Sequence, residues 1–145
     1  MEVEPTLSFD LHVLTARLDR AADRILRAEH GVSYSRFLAL TFVGELGAST
    51  QRTLADRLGV TEPSVSRMAA VLSADGLLDV RPDPGGGRSR RLSLTGKGQE
   101  LVAAAQRGLE ERLAAVVAES GVPYDEYARH TARLLATFER LESLT

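Results

Sequence analysis

Apolar residues recur at Leu7, Leu11, Leu14, Leu18, Ala21, Ile25 and Ala28 in alternating steps of four and three. That is a helical seam sustained over three heptads, and it predicts one long helix. His30-Gly31 should end it, because glycine takes the left-handed C-cap conformation without penalty. Ser33 is placed to cap a second helix carrying Phe37, Leu38, Leu40, Phe42 and Leu46, which Gly47 interrupts. The far end of the chain repeats the first pattern twice. Leu101, Ala105, Leu109, Leu113 and Val116 mark a helix starting at Thr95, and Gly121-Val122-Pro123 punctuates it. Tyr124, Tyr127, Thr131, Leu134, Phe138 and Leu141 mark a final helix. Each seam, taken alone, suits a bundle core within one chain as well as a surface shared between two chains, and heptads do not choose between these.

The middle of the chain has a shorter rhythm. Gln51 to Arg67 reads as two brief helices joined by a tight turn, with small Ala55 allowing a close crossing and Gly59 supplying backbone freedom. Val60 and Val65 are expected to fill the angle between the helices. Thr61 is a good N-cap, and Pro63 lies in the first turn, where a missing N–H breaks no intrahelical bond. Val65, Met68, Ala69 and Leu72 share one face of the second helix, leaving Ser64, Ser66, Arg67 and Ala70 toward the other side. After Asp75-Gly76, two strand-like stretches, Leu77 to Val80 and Arg90 to Leu94, flank a proline- and glycine-rich loop. This pattern predicts a hairpin with an irregular tip.

Composition sets bounds on function. The 145 residues suit a single domain, 1–145, with an ordinary share of hydrophobic (43%) and charged (26%) residues. No apolar run is long enough to span a bilayer. The opening Met1-Glu2-Val3-Glu4-Pro5 carries acid where a secretory signal carries base, so a cytoplasmic protein with no membrane association is expected. The absence of cysteine excludes disulfides and thiolate metal sites. Net charge is −2, but its distribution is uneven. From Ser49 to Lys97 eight Lys/Arg face five Asp/Glu, whereas the rest of the chain has ten against fifteen. A basic middle between acidic ends is the electrostatic footprint of a lobe that faces a polyanion.

The residue types in that lobe sharpen the expectation. Small hydroxyls and one long cation near a helix N-terminus suit the major groove of double-stranded DNA. Ser64 and Ser66 permit close approach, Thr61 and the first-turn amides hold phosphate, and Arg67 reads a guanine edge. Arg88, flanked by glycine on the hairpin, suits a narrow minor groove, with Arg90 and Arg91 near phosphates. A basic hairpin alone is usually a solvated, protected edge; directly after a helix-turn-helix it reads as a wing.

The run TLADRLGVTEPSVSRMAAVLSADGLLDVRPDPGGGRSRRLSLTGKG resembles the winged helix of the MarR (multiple antibiotic resistance regulator) family, and the flanking helices fit as well. The resemblance implies a mainly α fold with a small β-wing: a winged helix-turn-helix DNA-binding lobe over 34–97, with dimerisation helices over 7–30 and 95–143. It implies a homodimeric transcriptional regulator on a pseudo-palindromic operator, a repressor released by small, often aromatic or phenolic, anionic effectors. In one respect the chain departs from the family, which often has aspartate two residues before the wing arginine; here Gly86 stands there, and Asp83 is the nearby substitute. The resemblance also locates an effector crevice near the start of the second helix, where Tyr34 would stack on or hydrogen-bond an aromatic ligand and Arg17 would pair with its carboxylate, with Phe37 beside them. The same three residues also suit plain packing around a hinge.

Other chemistry finds little support. There is no phosphate-binding loop followed by a Lys-Ser/Thr pair, no nucleophile elbow and no placed carboxylate pair, so no enzymatic activity and no cofactor are expected. His12, His30 and His130 are far apart in sequence and no metal site is expected. The alternative from another class is a winged helix that binds protein instead of sequence-specific DNA, against which the basic wing argues.

Overall fold

The computed structural model describes residues 4, 6–85, 87 and 89–145; Gly86 and the expected wing residue Arg88 lie outside the described residues. Six helices and a small sheet follow in the order α1 (Leu7–His30), α2 (Tyr34–Leu46), β1 (Ser49–Thr50), α3 (Gln51–Leu58), α4 (Glu62–Ala74), β2 (Leu78–Pro82), β3 (Arg90–Leu94), α5 (Gly96–Ser120) and α6 (Tyr124–Glu142). The chain divides into two compact units, Met1–Gln106 and Arg107–Thr145.

Local chemistry places the boundaries of the first unit. α1 ends at Gly31, whose φ of 68° is the left-handed conformation expected there. The Ser33 hydroxyl accepts from Arg36 N to start α2, Thr50 accepts from Thr53 N to start α3, and Thr61 accepts from Ser64 N to start α4. Between α3 and α4, Gly59 has a φ of 68°, which lets the chain reverse within a few residues. The strands form an antiparallel sheet in the order β1-β3-β2. Leu78 lies opposite Leu94 and Val80 opposite Leu92, so these four share a face, while Asp79 opposite Ser93 and Arg81 opposite Arg91 share the other. Pro82 closes β2 opposite Arg90. The sequence pattern had put it in the loop, but β2 is an edge strand, and an edge position loses no ladder bond to proline.

The core of this unit gathers Leu26 of α1, Phe37, Leu40 and Val43 of α2, Leu54 of α3, Val65, Ala69 and Leu72 of α4, and Leu78 and Leu92 of the sheet, all buried. Val65 fills the helix-turn-helix angle as expected, whereas Val60 is 43% exposed and does not. Val60 N donates to Ala55 O in closing α3, which holds the residue at the rim of the turn. On α1 the fully buried position is Leu26, and Ala28, at the end of the expected seam, is exposed.

α5 begins against the end of α4. The Thr95 hydroxyl donates to Gly76 O at 2.6 Å and accepts from Gly98 N at 3.0 Å, Thr95 N donates to Leu77 O at 3.1 Å, and Lys97 Nζ donates to Asp75 O at 3.0 Å. Lys97 stands in the first turn of α5, an unfavourable place for a cation, but its ammonium reaches the carbonyl end of α4, where a cation is favoured. Buried Gly98 lies so close to Leu77 O that a Cβ there would overlap it.

In the second unit, the later half of α5 and α6 are joined at Gly121. Ser120 Oγ donates to Val117 O and accepts from Val122 N, and the Tyr124 hydroxyl donates to Glu110 Oε2 at 3.1 Å. Val117 is buried while Val116, expected on the seam, is 60% exposed. α6 has no buried residue: Leu134, Leu135, Phe138 and Leu141 are 51–63% exposed.

Candidate nucleic-acid interface

α4 turns one face into the core through Val65, Ala69 and Leu72 and leaves Ser66, Arg67 and Ala70 exposed. The 3.6-residue period explains this division. Its N-terminus offers fewer free amides than the sequence implied. Pro63 has no N–H, Ser64 N is taken by Thr61 Oγ1 at 3.2 Å, and Val65 N is taken by Thr61 O at 3.1 Å. The side-chain donors at this end are the Thr61 and Ser64 hydroxyls, each of which accepts a hydrogen bond and keeps a proton to donate, and the Arg67 guanidinium. Arg67 folds back on its own helix, Nη2 to Ser64 Oγ at 3.3 Å, a long and solvent-exposed bond that a nucleic-acid acceptor can replace at little cost.

The wing adds cations beside the helix-turn-helix unit. Arg90 and Arg91 are exposed on β3. Arg91 Nη1 lies 3.9 Å from Asp83 Oδ1, a weak surface pair. Asp83 N donates to Ser89 O at 3.0 Å, so Asp83 pins the base of the loop while its carboxylate leans toward Arg91. Opposite Arg91 stands Arg81, also exposed and absent from the residues singled out by the sequence. Like charges directly opposed across a strand pair repel, and a bound anion relieves that repulsion. The signal for Arg81 is register, which the irregular loop hides from sequence reading.

The structure places Arg17 and Tyr34 on a second feature, an open basin of about 690 Å³. Its α1 wall carries Arg17, Arg20, Arg24 and Arg27 with Asp19 and Asp23 among them, and the Ser33-Tyr34-Ser35 segment closes the other side. Asp23 clamps the α1–α2 corner: Oδ1 accepts from Tyr34 N at 2.9 Å and Oδ2 from Arg27 Nε at 2.8 Å. The Tyr34 amide first, and then Arg27, hold this carboxyl below its ordinary 3.8. A depressed folded-state value means the clamp contributes fully above pH 3.8 and is lost as pH falls through the folded value. Burial, and then the Asp19 carboxylate, raise the Tyr34 phenol above 10.0, so the hydroxyl stays protonated and donates to Asp19. Phe37 is packed in the core and is not on the basin wall.

A helix-turn-helix followed by a two-stranded basic wing defines a winged-helix protein. Comparison with known sequences is specific: residues 30–89 match the model of the MarR family. A relative described as an uncharacterized HTH-type transcriptional regulator of Mycobacterium bovis is 37% identical over 114 residues, 79% of each chain. The chain belongs to the MarR family of winged-helix transcriptional regulators, DNA-binding proteins and not enzymes. Among solved structures, wild-type apo MarR of E. coli is similar over 94% of this chain and 98% of its own at 20% identity, with a TM-score of 0.79; a mutant MarR in complex with operator DNA gives 0.69 at 20% identity, covering 90% and 92%. NadR in complex with 4-hydroxyphenylacetate gives 0.75 at 20% identity, covering 95% of each chain. At these identities the likeness establishes the fold, mainly helical with a small antiparallel sheet among the described residues.

Proposed function

We propose that the protein is a homodimeric, sequence-specific repressor of transcription that binds a pseudo-palindromic operator and is released by a small anionic effector. The observation that carries this reading is the outer face of α4: Ser66, Arg67 and Ala70 are exposed and uncovered, beside exposed wing arginines. In this reading Ser64, Ser66 and Arg67 enter the major groove, Thr61 anchors a phosphate, Arg88 enters the adjacent minor groove, and Arg90 and Arg91, joined by Arg81, hold the backbone beside it. Residues 34–97 form the DNA-binding lobe, and the helices over 7–30 and 95–143 pair two copies. The uncovered apolar side chains of α1 and α6, including Leu7, Phe9 and Phe138, support that pairing. Among the described residues no helix is long and apolar enough to cross a membrane, and the cytoplasm is where the protein would meet its operator. The effector site is the basin at Arg17 and Tyr34, with Phe37 supporting the start of α2 from the core side; the complexes of MarR with operator DNA and of NadR with 4-hydroxyphenylacetate support both halves of the reading by analogy.

Arg67→Ala tests the reading directly. On a site selected from a randomised duplex pool, the substitution should weaken binding by about 1–3 kcal/mol and relax base preference at one position of each half-site. Equal loss on the selected site and on random duplex, measured by gel shift, would make Arg67 a phosphate contact and remove it from base reading.

A further inference from the structure

The basin is unlike a pocket built for an aromatic ring. Every residue lining it is charged or polar, and its apolar surface comes from arginine stems and the single ring of Tyr34. Small-molecule sites of comparable volume are usually lined mainly by apolar and aromatic side chains. The four arginines stand at 17, 20, 24 and 27, a 3-4-3 spacing that aligns them on one face of α1 over about 15 Å of helix.

Three of the six charges, Asp19, Asp23 and Arg27, already have partners within the basin. Asp23 is occupied by Tyr34 N and Arg27, and Asp19 by the Tyr34 hydroxyl. Arg17, Arg20 and Arg24 form no ion pair with a described carboxylate. Like charges spaced a turn apart on a helix repel, and a ligand with two or more acidic groups removes that repulsion while engaging each guanidinium in a planar, two-point contact. The two carboxylates interrupt the row, which disfavours a continuous phosphate track and leaves discrete anchor points for a compact molecule.

We infer that the α1–α2 basin binds a small, hydrophilic polyanion, carrying two or more carboxylate or phosphate groups, through Arg17, Arg20 and Arg24, with no requirement for an aromatic ring. This deepens the effector reading above and rests on it only for the consequence to DNA binding.

Isothermal titration of the full chain with inorganic pyrophosphate, citrate and 4-hydroxyphenylacetate at one fixed ionic strength tests the inference, since surface charge interactions are sensitive to salt. Pyrophosphate, citrate or both should bind at least tenfold more tightly than 4-hydroxyphenylacetate; which of the two binds separates phosphate from carboxylate chemistry. The double substitution Arg20→Gln, Arg24→Gln should weaken polyanion binding tenfold or more while leaving unliganded thermal unfolding unchanged, because both side chains are exposed. A matched pair on α6, Arg129→Gln with Arg133→Gln, should leave binding unaltered. The inference is overturned if the aromatic monoacid binds as tightly as the polyanions, if the α1 substitutions leave polyanion binding intact, or if the α6 pair weakens it equally. Operator affinity in the same samples keeps the two readings apart. Polyanion binding with unchanged operator affinity supports the basin and removes ligand-released repression. A chain that ignores DNA in the absence of ligand removes the regulator reading without touching the basin.

Discussion

Phe138→Asp is expected to convert the protein to monomers at micromolar concentration and to abolish tight operator binding with them. Phe138 is 63% exposed in the single chain, on a helix that buries no residue of its own. An apolar row of this size left open to water is costly unless a second copy covers it. Burying one phenylalanine contributes about 1.5–3 kcal/mol, and a two-fold interface uses the position twice. The aspartate also places an unpaired carboxylate in that interface. Dimer affinity should therefore fall at least about a thousandfold, or roughly 4 kcal/mol, as read by sedimentation across a concentration series. Leu14→Asp on α1 should act in the same direction, since Leu14 is also exposed in the single chain. Arg129→Ala, on the opposite side of α6 by helical period, should leave the dimer intact. A wild-type chain that stays a folded monomer at micromolar concentration would defeat the dimer outright.

Gly98→Ala carries the second large effect, and its sign is opposite to the usual one. Within a helix, glycine to alanine normally stabilises by up to about 1 kcal/mol. At Gly98 the added Cβ meets the Leu77 carbonyl, which is backbone and already accepts from Thr95 N, so neither side can give way cheaply. The start of α5 would have to shift, straining the bonds from Thr95 to Gly76 and from Lys97 to Asp75. A loss of about 1–3 kcal/mol is expected in urea unfolding, the range typical of overpacking. Gly108→Ala on the same helix is the internal control. Its Cβ would find only Arg112 Nη1, at 3.9 Å, and should be neutral or stabilising. Equal behaviour of the two variants would show that the joint between α4 and α5 is not tightly packed.

Much of the fold was legible in the sequence because its punctuation is local. The end of α1 at Gly31 and the caps at Ser33 and Thr61 each depend on a few adjacent residues, and the structure has them as expected. The phase of α5 was harder to read. Alanine and valine occur on several of its sides: of the expected row, Ala105 is buried and Leu101, Leu109 and Leu113 are half-buried, but Val116 is exposed, and Val102 and Val117 beside that row are buried. β1 was invisible because two residues carry no period; only its pairing with Leu92 and Arg91 defines it. Arg81 became a candidate only when register set it opposite Arg91. The basin arginines had a readable 3-4 spacing, but a charged helix stripe more often marks a solvated face, and it took the fold of Ser33-Tyr34-Ser35 beside them to make a concave site.

The central claim is that two copies of this chain read one symmetric site, with the wings gripping its backbone. Footprinting on a selected operator, combined with a salt titration of its affinity, tests it most directly. Two protected half-sites roughly 10 bp apart, centre to centre, are expected, because two recognition helices related by a two-fold axis must enter successive major grooves. Replacing Arg88, Arg90 and Arg91 by alanine should flatten the salt dependence by up to about three phosphate equivalents per subunit and leave the half-site spacing unchanged, since spacing is set by the dimer scaffold. Protection of a single half-site would contradict the symmetric dimer, and an unchanged salt slope in the triple variant would remove the wing from the DNA interface.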